Sequence, residues 1–410
     1  MSDTITHEAL RPFLPIWLRE RLGAQDLVPG AAFHYQATIV YADLSGFSRL
    51  TSAFSTLPDG AERLHLVLNQ AYAVLIETIA RFGGDIMSIA GDALTAWWPE
   101  RVDVELARRC ADALLTALAS LPPADTPLGP FQLLMRIGIA AGPVSLTLAG
   151  MPGNGVYPIL SGPALQAATQ AEREAMAGTM CEAEPLSSIT IPSNTIAPDV
   201  PTAALDAAQF LPKTFVDRLR SNTLVAEYRR CVPVFAAFDL PRRPSELHRL
   251  VVRAQTIIGR WGGWLNEVEI GDKGAVFVIL FGAPLAYGDD PRRAAACALE
   301  LLAQGLISRA GISVGTLFAG AVGSGERGVY TAQGEEMNLA ANLMDEAAVG
   351  TILVSGRIRS ELAARYRFGS PAAVYIKGVA SVSPVPLLGP LVAEAQGARL
   401  VPDAALIGRE

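Results

Sequence analysis

The chain has 410 residues, half of them hydrophobic and 18% charged, with a formal net charge of −7. That composition fits a globular chain with room for more than one core, and the lack of a long basic run speaks against non-specific nucleic-acid binding. Cys110, Cys181, Cys231 and Cys297 are scattered without a close pair, which argues against a disulfide framework or a zinc site and points to a reducing cytoplasm.

In chain order, the polar stretch Met1-Ser-Asp-Thr-Ile-Thr-His7 lacks the pattern of a signal peptide. Phe13-Leu-Pro-Ile-Trp-Leu-Arg-Glu-Arg-Leu22 reads as an arm. A strand over 37–42 runs into Tyr41-Ala-Asp-Leu-Ser-Gly-Phe-Ser48. Apolar residues at helical spacing predict a helix over 61–82. Gly83-Gly-Asp-Ile-Met-Ser-Ile-Ala-Gly-Asp-Ala93 leads to a strand over 93–98, a helix over 104–119 and a strand over 135–140. Pro185, Pro192, Pro198 and Pro201 mark a linker, because proline removes donors and fixes the backbone. Strands over 233–238, 276–281 and 311–314 and a helix over 245–260 follow. The apolar runs 138–151 and 275–285 are too short to span a bilayer, so direct membrane insertion is not expected.

The second half repeats the first. Phe13-Leu-Pro recurs as Phe210-Leu-Pro, Asp43-Leu44 as Asp239-Leu240, and Arg81-Phe-Gly-Gly84 as Arg260-Trp-Gly-Gly263. Arg136-Ile-Gly-Ile-Ala-Ala-Gly142 recurs as Arg309-Ala-Gly-Ile-Ser-Val-Gly315, and Gly155-Val-Tyr157 as Gly328-Val-Tyr330. Ordered matches with a shrinking offset indicate a duplication with deletions in the second copy. Two copies are too few for a solenoid, so paired domains are expected. The divisions expected are an arm over 1–30, a first copy over 31–184, a linker and arm over 185–224, a second copy over 225–390 and a tail over 391–410. Each copy is expected to be an α/β (α+β) sheet covered by helices, the two pairing about a pseudo-twofold axis within a monomer.

Asp43 and Asp92 each sit beside a strand-like run and close to glycine. Two carboxylates from two strand ends can hold a pair of Mg²⁺ ions, an arrangement suited to phosphoryl chemistry on a nucleotide. Read singly, they are also ordinary solvated acids. Ser45, Gly46, Phe47 and Ser48 form a turn after a strand that could aim N–H groups at phosphate. Arg136 could equally be a surface strand charge, and Asn338 a helix cap. His7, His34, His65 and His248 have no ligand spacing.

Together with Tyr330-Thr-Ala-Gln-Gly-Glu-Glu-Met-Asn-Leu-Ala-Ala-Asn342 and the tandem layout, these motifs resemble the class III nucleotidyl cyclases, and most of all the soluble, bicarbonate-responsive type with two fused catalytic domains. The resemblance implies two ferredoxin-like domains sharing a cleft, and an adenylate cyclase (a phosphorus–oxygen lyase) making cyclic AMP and pyrophosphate from ATP in signal transduction. It implies that Asp43, the Leu44 carbonyl and Asp92 hold two Mg²⁺ or Mn²⁺ ions, and that Arg136 and the turn from Ser45 to Ser48 contact phosphates. Thr331 and Glu267 fall at the base-reading places and Asn338 at the ribose-orienting one. The family carries a lysine at the place of Glu267, where a carboxylate suits guanine; Lys273 lies six residues on. It carries a transition-state arginine at the place of Asn342. These two departures favour the alternative of a catalytically weak or inactive nucleotide-binding regulator. A twin cleft would use Asp239 and Asp272 opposite Ile159 and Gln166, and is expected to be degenerate. The closing Leu406-Ile-Gly-Arg-Glu410 resembles the opening of an ATPase module that follows such cyclases.

Overall fold

The structure is a computed structural model, and it describes residues 7–55, 57–184, 205–221, 226–271, 274–371 and 384–391. Asp272, Lys273, the proline-marked segment 185–204 and the tail from 392 lie outside the described residues.

The first copy is a sheet in the strand order Asp85–Ala90, Ala93–Pro99, Ala32–Ser45, Leu134–Met151, Gly155–Ser161, with Met180–Glu182 added parallel to Leu134–Met151. Helices Gly60–Arg81, Val104–Ala119 and Pro163–Glu174 pack against it. The helix Val104–Ala119 follows the expected spacing: Leu106, Ala107, Cys110, Ala111, Leu114 and Leu118 are its buried stripe. It starts where the Asp103 carboxylate accepts the Leu106 N–H at 2.9 Å, satisfying one of the first-turn donors. Truncating a fully buried leucine of that stripe, such as Leu114, costs on the order of 2–5 kcal/mol.

The second copy repeats the plan. Its sheet runs Trp264–Gly271, Gly274–Phe281, Glu227–Phe238, Arg309–Ile312, Ile352–Val354, Val385–Pro390, Tyr366–Phe368, and Gly315–Gly323 pairs with both Glu227–Phe238 and Gly328–Gln333. Helices Pro244–Arg260, Asp290–Ala303 and Glu335–Glu346 take the places of the three in the first copy. The single long strand Leu134–Met151 is answered by two pieces, Arg309–Ile312 and Gly315–Gly323, separated at Ser313 and Val314.

Two mirrored contacts reveal how the copies pair. The Gly323 N–H donates to Asn69 Oδ1 at 3.0 Å, and the Gly150 N–H donates to His248 Nδ1 at 3.4 Å. Each copy therefore docks its long helix on the other copy's sheet. Around the second contact, Gln255 accepts the Met151 N–H at 2.8 Å and donates to the Gly155 carbonyl at 2.8 Å.

The arms close the seam between the copies. Asp85 accepts the N–H groups of Ile16 and Trp17 at 2.8 and 2.9 Å, so a sheet residue caps the helix Ile16–Arg21. Phe13 of the first arm meets Phe215 of the second edge-on, with ring centroids 4.8 Å apart.

The sheet register corrects two matches read from sequence. Gly138 and Gly311 are equivalent: a Cβ on either would strike the backbone of the helix above, at Ala168 or at Ala340. Gly138 pairs with Tyr41 and Gly311 with Phe235. Two residues on, the counterpart of Asp43 is therefore Ala237, and Asp239 stands at the place of Ser45. The shared Asp-Leu dipeptide is a coincidence offset by one full pleat. Likewise Gly150 pairs with Val156 and Gly323 with Gly328, so the Gly-Val-Tyr match is out of register by one residue.

Candidate active site

Asp43 and Asp92 come together as the sequence predicts. Asp43 pairs across the sheet with Ala93, the neighbour of Asp92, and the Leu44 N–H donates to the Asp92 carbonyl at 2.9 Å. The Asp92 carboxyl is pushed up to about 8, first by burial and then by the nearby charge of Asp43. Such crowding favours a bound cation. Among the described residues no group of three or more His, Cys, Asp or Glu is placed to hold a metal. The donor set on offer is two carboxylates with backbone carbonyls, all hard oxygens of the kind Mg²⁺ and Mn²⁺ take.

A positive charge already fills part of this role. Arg136 lies directly opposite Asp43 on Leu134–Met151, and its Nη2 sits 2.6 Å from Asp43 Oδ2 and 2.9 Å from Glu172 Oε1. Burial works against the guanidinium, but Asp43, Glu172 and Asp92 outweigh it and raise its pKa. Sequence reading places Arg136 on phosphate; the structure turns it toward a carboxylate of its own copy. Glu172 carried no sequence signal, since the counterpart helix has Met344 there and only the fold brings it over the strand.

After Ser45 the chain turns through Gly46 at φ +85°, a conformation open to glycine, and enters the helix Phe47–Ser55 at once. The first intrahelical bonds are those from Arg49 and Leu50 to the Gly46 carbonyl, so the N–H groups of Gly46, Phe47 and Ser48 head the helix beside Asp43.

The second copy reaches this site through Gln333. Its Nε2 donates to the Gly91 carbonyl at 2.6 Å, and Tyr72 Oη donates to the same oxygen at 2.9 Å. The turn that carries Asp92 is thus held from both copies. Gln333 is buried and lies within the stretch 330–342 that carries the family resemblance, but that resemblance gives roles only to Thr331, Asn338 and Asn342 there.

Thr331 and Glu267 line one interdomain cavity of 180 Å³, with Tyr330, Trp264, Asn266, Arg327 and Ser88 also in its wall. Thr331 is buried on Gly328–Gln333. Glu267 follows a β-bulge in Trp264–Gly271, matched by the bulge that precedes Ser88 in the first copy. Asn338 is exposed and Asn342 partly buried, one turn apart on Glu335–Glu346; neither lines this cavity. That helix touches the Phe47–Ser55 helix of the first copy, where Ser52 Oγ donates to Glu335.

No family model matches the chain. It is 22% identical over 393 residues to human adenylate cyclase type 10, covering 76% of this chain and 24% of that protein. It is 31% identical over 121 residues to the rabbit adenylate cyclase type 10, covering 28% of this chain and 8% of that protein. The chain therefore spans about a quarter or less of the curated relatives it matches. Among solved structures, a class III adenylyl cyclase-like ATP-binding protein from Pseudomonas aeruginosa superposes with a TM-score of 0.53 at 12% identity, over 80% of this chain and 85% of that one. This last likeness spans both copies and establishes the paired cyclase-type fold.

Proposed function

The chain is a homologue of the class III nucleotidyl cyclases and has their fold, and from that premise we propose that it is an adenylyl cyclase, converting ATP to 3′,5′-cyclic AMP and pyrophosphate in the cleft between its copies. The observation that carries this reading is the junction of Asp43, near the end of its strand, with Asp92 in the turn that leads into the neighbouring strand, tied by Leu44 and braced from the other copy by Gln333.

Asp43, the Leu44 carbonyl and Asp92 would hold two Mg²⁺ or Mn²⁺ ions. Bound there, the ions supply charge for the triphosphate and acidity for the ribose 3′-hydroxyl. The N–H groups from Gly46 to Ser48 bind phosphate oxygens at the helix head. Arg136 stays tethered by Glu172 and turns from Asp43 to the terminal phosphates. Thr331 accepts from the exocyclic amine of the base, and Asn338 orients the ribose. The proposed division of the chain is first copy 31–184 and second copy 225–390, acting as one monomer. A cytoplasmic setting and a downstream ATPase module belong to the same proposal. No helix among the described residues is long and apolar enough to cross a membrane.

One observation favours a second reading, a nucleotide-binding regulator with little turnover. Asn342 offers an amide where a cation would stabilise the transferring phosphoryl group, and losing one such preorganised donor lowers a rate by about 10²–10³. Incubating the pure protein with ATP or GTP and Mn²⁺ or Mg²⁺, and assaying for the cyclic product, separates the two. Product from ATP supports the cyclase. Tight nucleotide binding without product supports the regulator.

A further inference from the structure

The wall of the interdomain cavity contains a carboxyl group in an unusual position. Glu267 is aimed into the cavity by the bulge at Asn266, and no cation among the described residues comes within ion-pair distance of it. The one guanidinium nearby, that of Arg327, is buried and spent on carbonyls: Nε donates to Ile86 at 3.1 Å, Nη2 to Met87 at 3.3 Å and Nη1 to Gly328 at 2.7 Å. Among the described residues, the other titratable groups around Glu267 are acids, or phenols that stay neutral. Glu269 lies two residues along its own strand, with Asp92 beyond it. Tyr157 and Tyr72 come from the first copy and Tyr330 from the second, each phenol raised by burial. Asp85 lies behind Arg327. Lys273 lies outside the described residues.

A carboxylate needs water or a cation; Glu267 is only partly exposed, and among the described residues the nearby guanidinium is committed to backbone carbonyls. A neutral carboxyl group needs less. It offers one O–H donor and one carbonyl acceptor on adjacent atoms. Adenine presents the complementary pair, a bare ring nitrogen beside an exocyclic amine. Guanine presents two adjacent donors instead, and these match an ionised carboxylate.

We propose that Glu267 reads the base as a neutral carboxylic acid, donating to the ring nitrogen of adenine and accepting from its amine, and that it turns into a guanine reader when it loses its proton. The inference rests on the reading of the cleft as a nucleotide site and specifies its substrate class. It explains how ATP can be selected without the lysine that the family resemblance leads one to expect. Thr331, in the same wall, takes the second hydrogen of the amine. Burial first, and then the charge of Glu269, raise the Glu267 pKa well above its ordinary 4.5, with Arg327 opposing only in part.

The test is binding of 3′-deoxy-ATP and 3′-deoxy-GTP, which cannot cyclise, to the whole chain with Mg²⁺ by calorimetry, from about pH 6 to about pH 8.5, the range into which burial lifts documented carboxyl groups. The wild type should prefer the adenine analogue at the acid end. That preference should shrink by up to about tenfold per pH unit once the proton is lost. Glu267→Gln keeps a donor and an acceptor but cannot ionise, so its adenine preference should stay flat across the range. A wild-type ratio that does not move with pH, or a guanine preference at every pH, overturns the inference and leaves the nucleotide site standing. Failure of both analogues to bind overturns the inference and the nucleotide site together.

Discussion

At Asn342 the helix Glu335–Glu346 presents an amide where the proposed reaction builds charge on the transferring phosphoryl group. Asn342→Arg should raise the maximal cyclase rate by about 10²-fold while changing KM little, because the contact strengthens in the transition state. Steady-state assays with ATP and Mn²⁺ check this. Asp43→Ala or Asp92→Ala should abolish metal-dependent turnover with an unchanged circular dichroism spectrum, since both side chains are only partly buried and stand outside the apolar core clusters. A third prediction concerns stability. Because the folded state raises the Glu267 pKa above its ordinary 4.5, its contribution is fully present below that value and is lost as pH rises through the folded one. Glu267→Gln should therefore gain Tm relative to the wild type as pH increases, and a Tm difference independent of pH would show an already ionised group.

Among the elements, the hairpin joining Asp85–Ala90 to Ala93–Pro99 carries the greatest functional weight. Its turn holds Asp92, and its Gly91 carbonyl accepts from a helix of one copy and a strand of the other. Gln333→Ala should cost about 1–3 kcal/mol of stability, because it strips a partly buried acceptor of its nearer donor. It should also weaken metal binding several-fold. Tyr72→Phe leaves the Gln333 bond in place and should cost less, about 0.5–1.5 kcal/mol. Urea unfolding and a Mn²⁺ titration check both. The helices were legible because apolar residues recur at helical spacing: Val104–Ala119 matches its expected bounds, and Gly60–Arg81 differs from 61–82 by one residue at each end. The long strands were not. Ala32–Ser45 and Leu134–Met151 run well past the expected 37–42 and 135–140, because they pair with each other from Ala32 opposite Thr147 to Ser45 opposite Leu134, a long-range match that local pattern does not report.

For the whole molecule, the pseudo-twofold axis creates two clefts and the register equips one. With Ala237 at the place of Asp43 and Ile159 at that of Thr331, the twin cleft lacks a carboxylate on one side and a polar base contact on the other. One metal–nucleotide complex should bind per chain, and a calorimetric stoichiometry of two would show that Asp239 reaches back across a pleat to serve the second cleft.

By itself the sequence determined that the chain is a duplication, that each copy mixes strands with amphipathic helices, and that Asp43 and Asp92 each stand beside a strand-like run and close to glycine. All of these rest on local pattern and order along the chain. Only the tertiary structure decided that Ala237, not Asp239, answers Asp43, because register belongs to cross-strand pairing and one dipeptide cannot report it. Only the tertiary structure set Arg136 between Asp43 and Glu172, reached Gln333 across to Gly91, and placed Glu267 in a cavity without a counterion among the described residues. Those arrangements depend on which distant groups share a low-dielectric space, and that is settled by packing, not by neighbours in the chain.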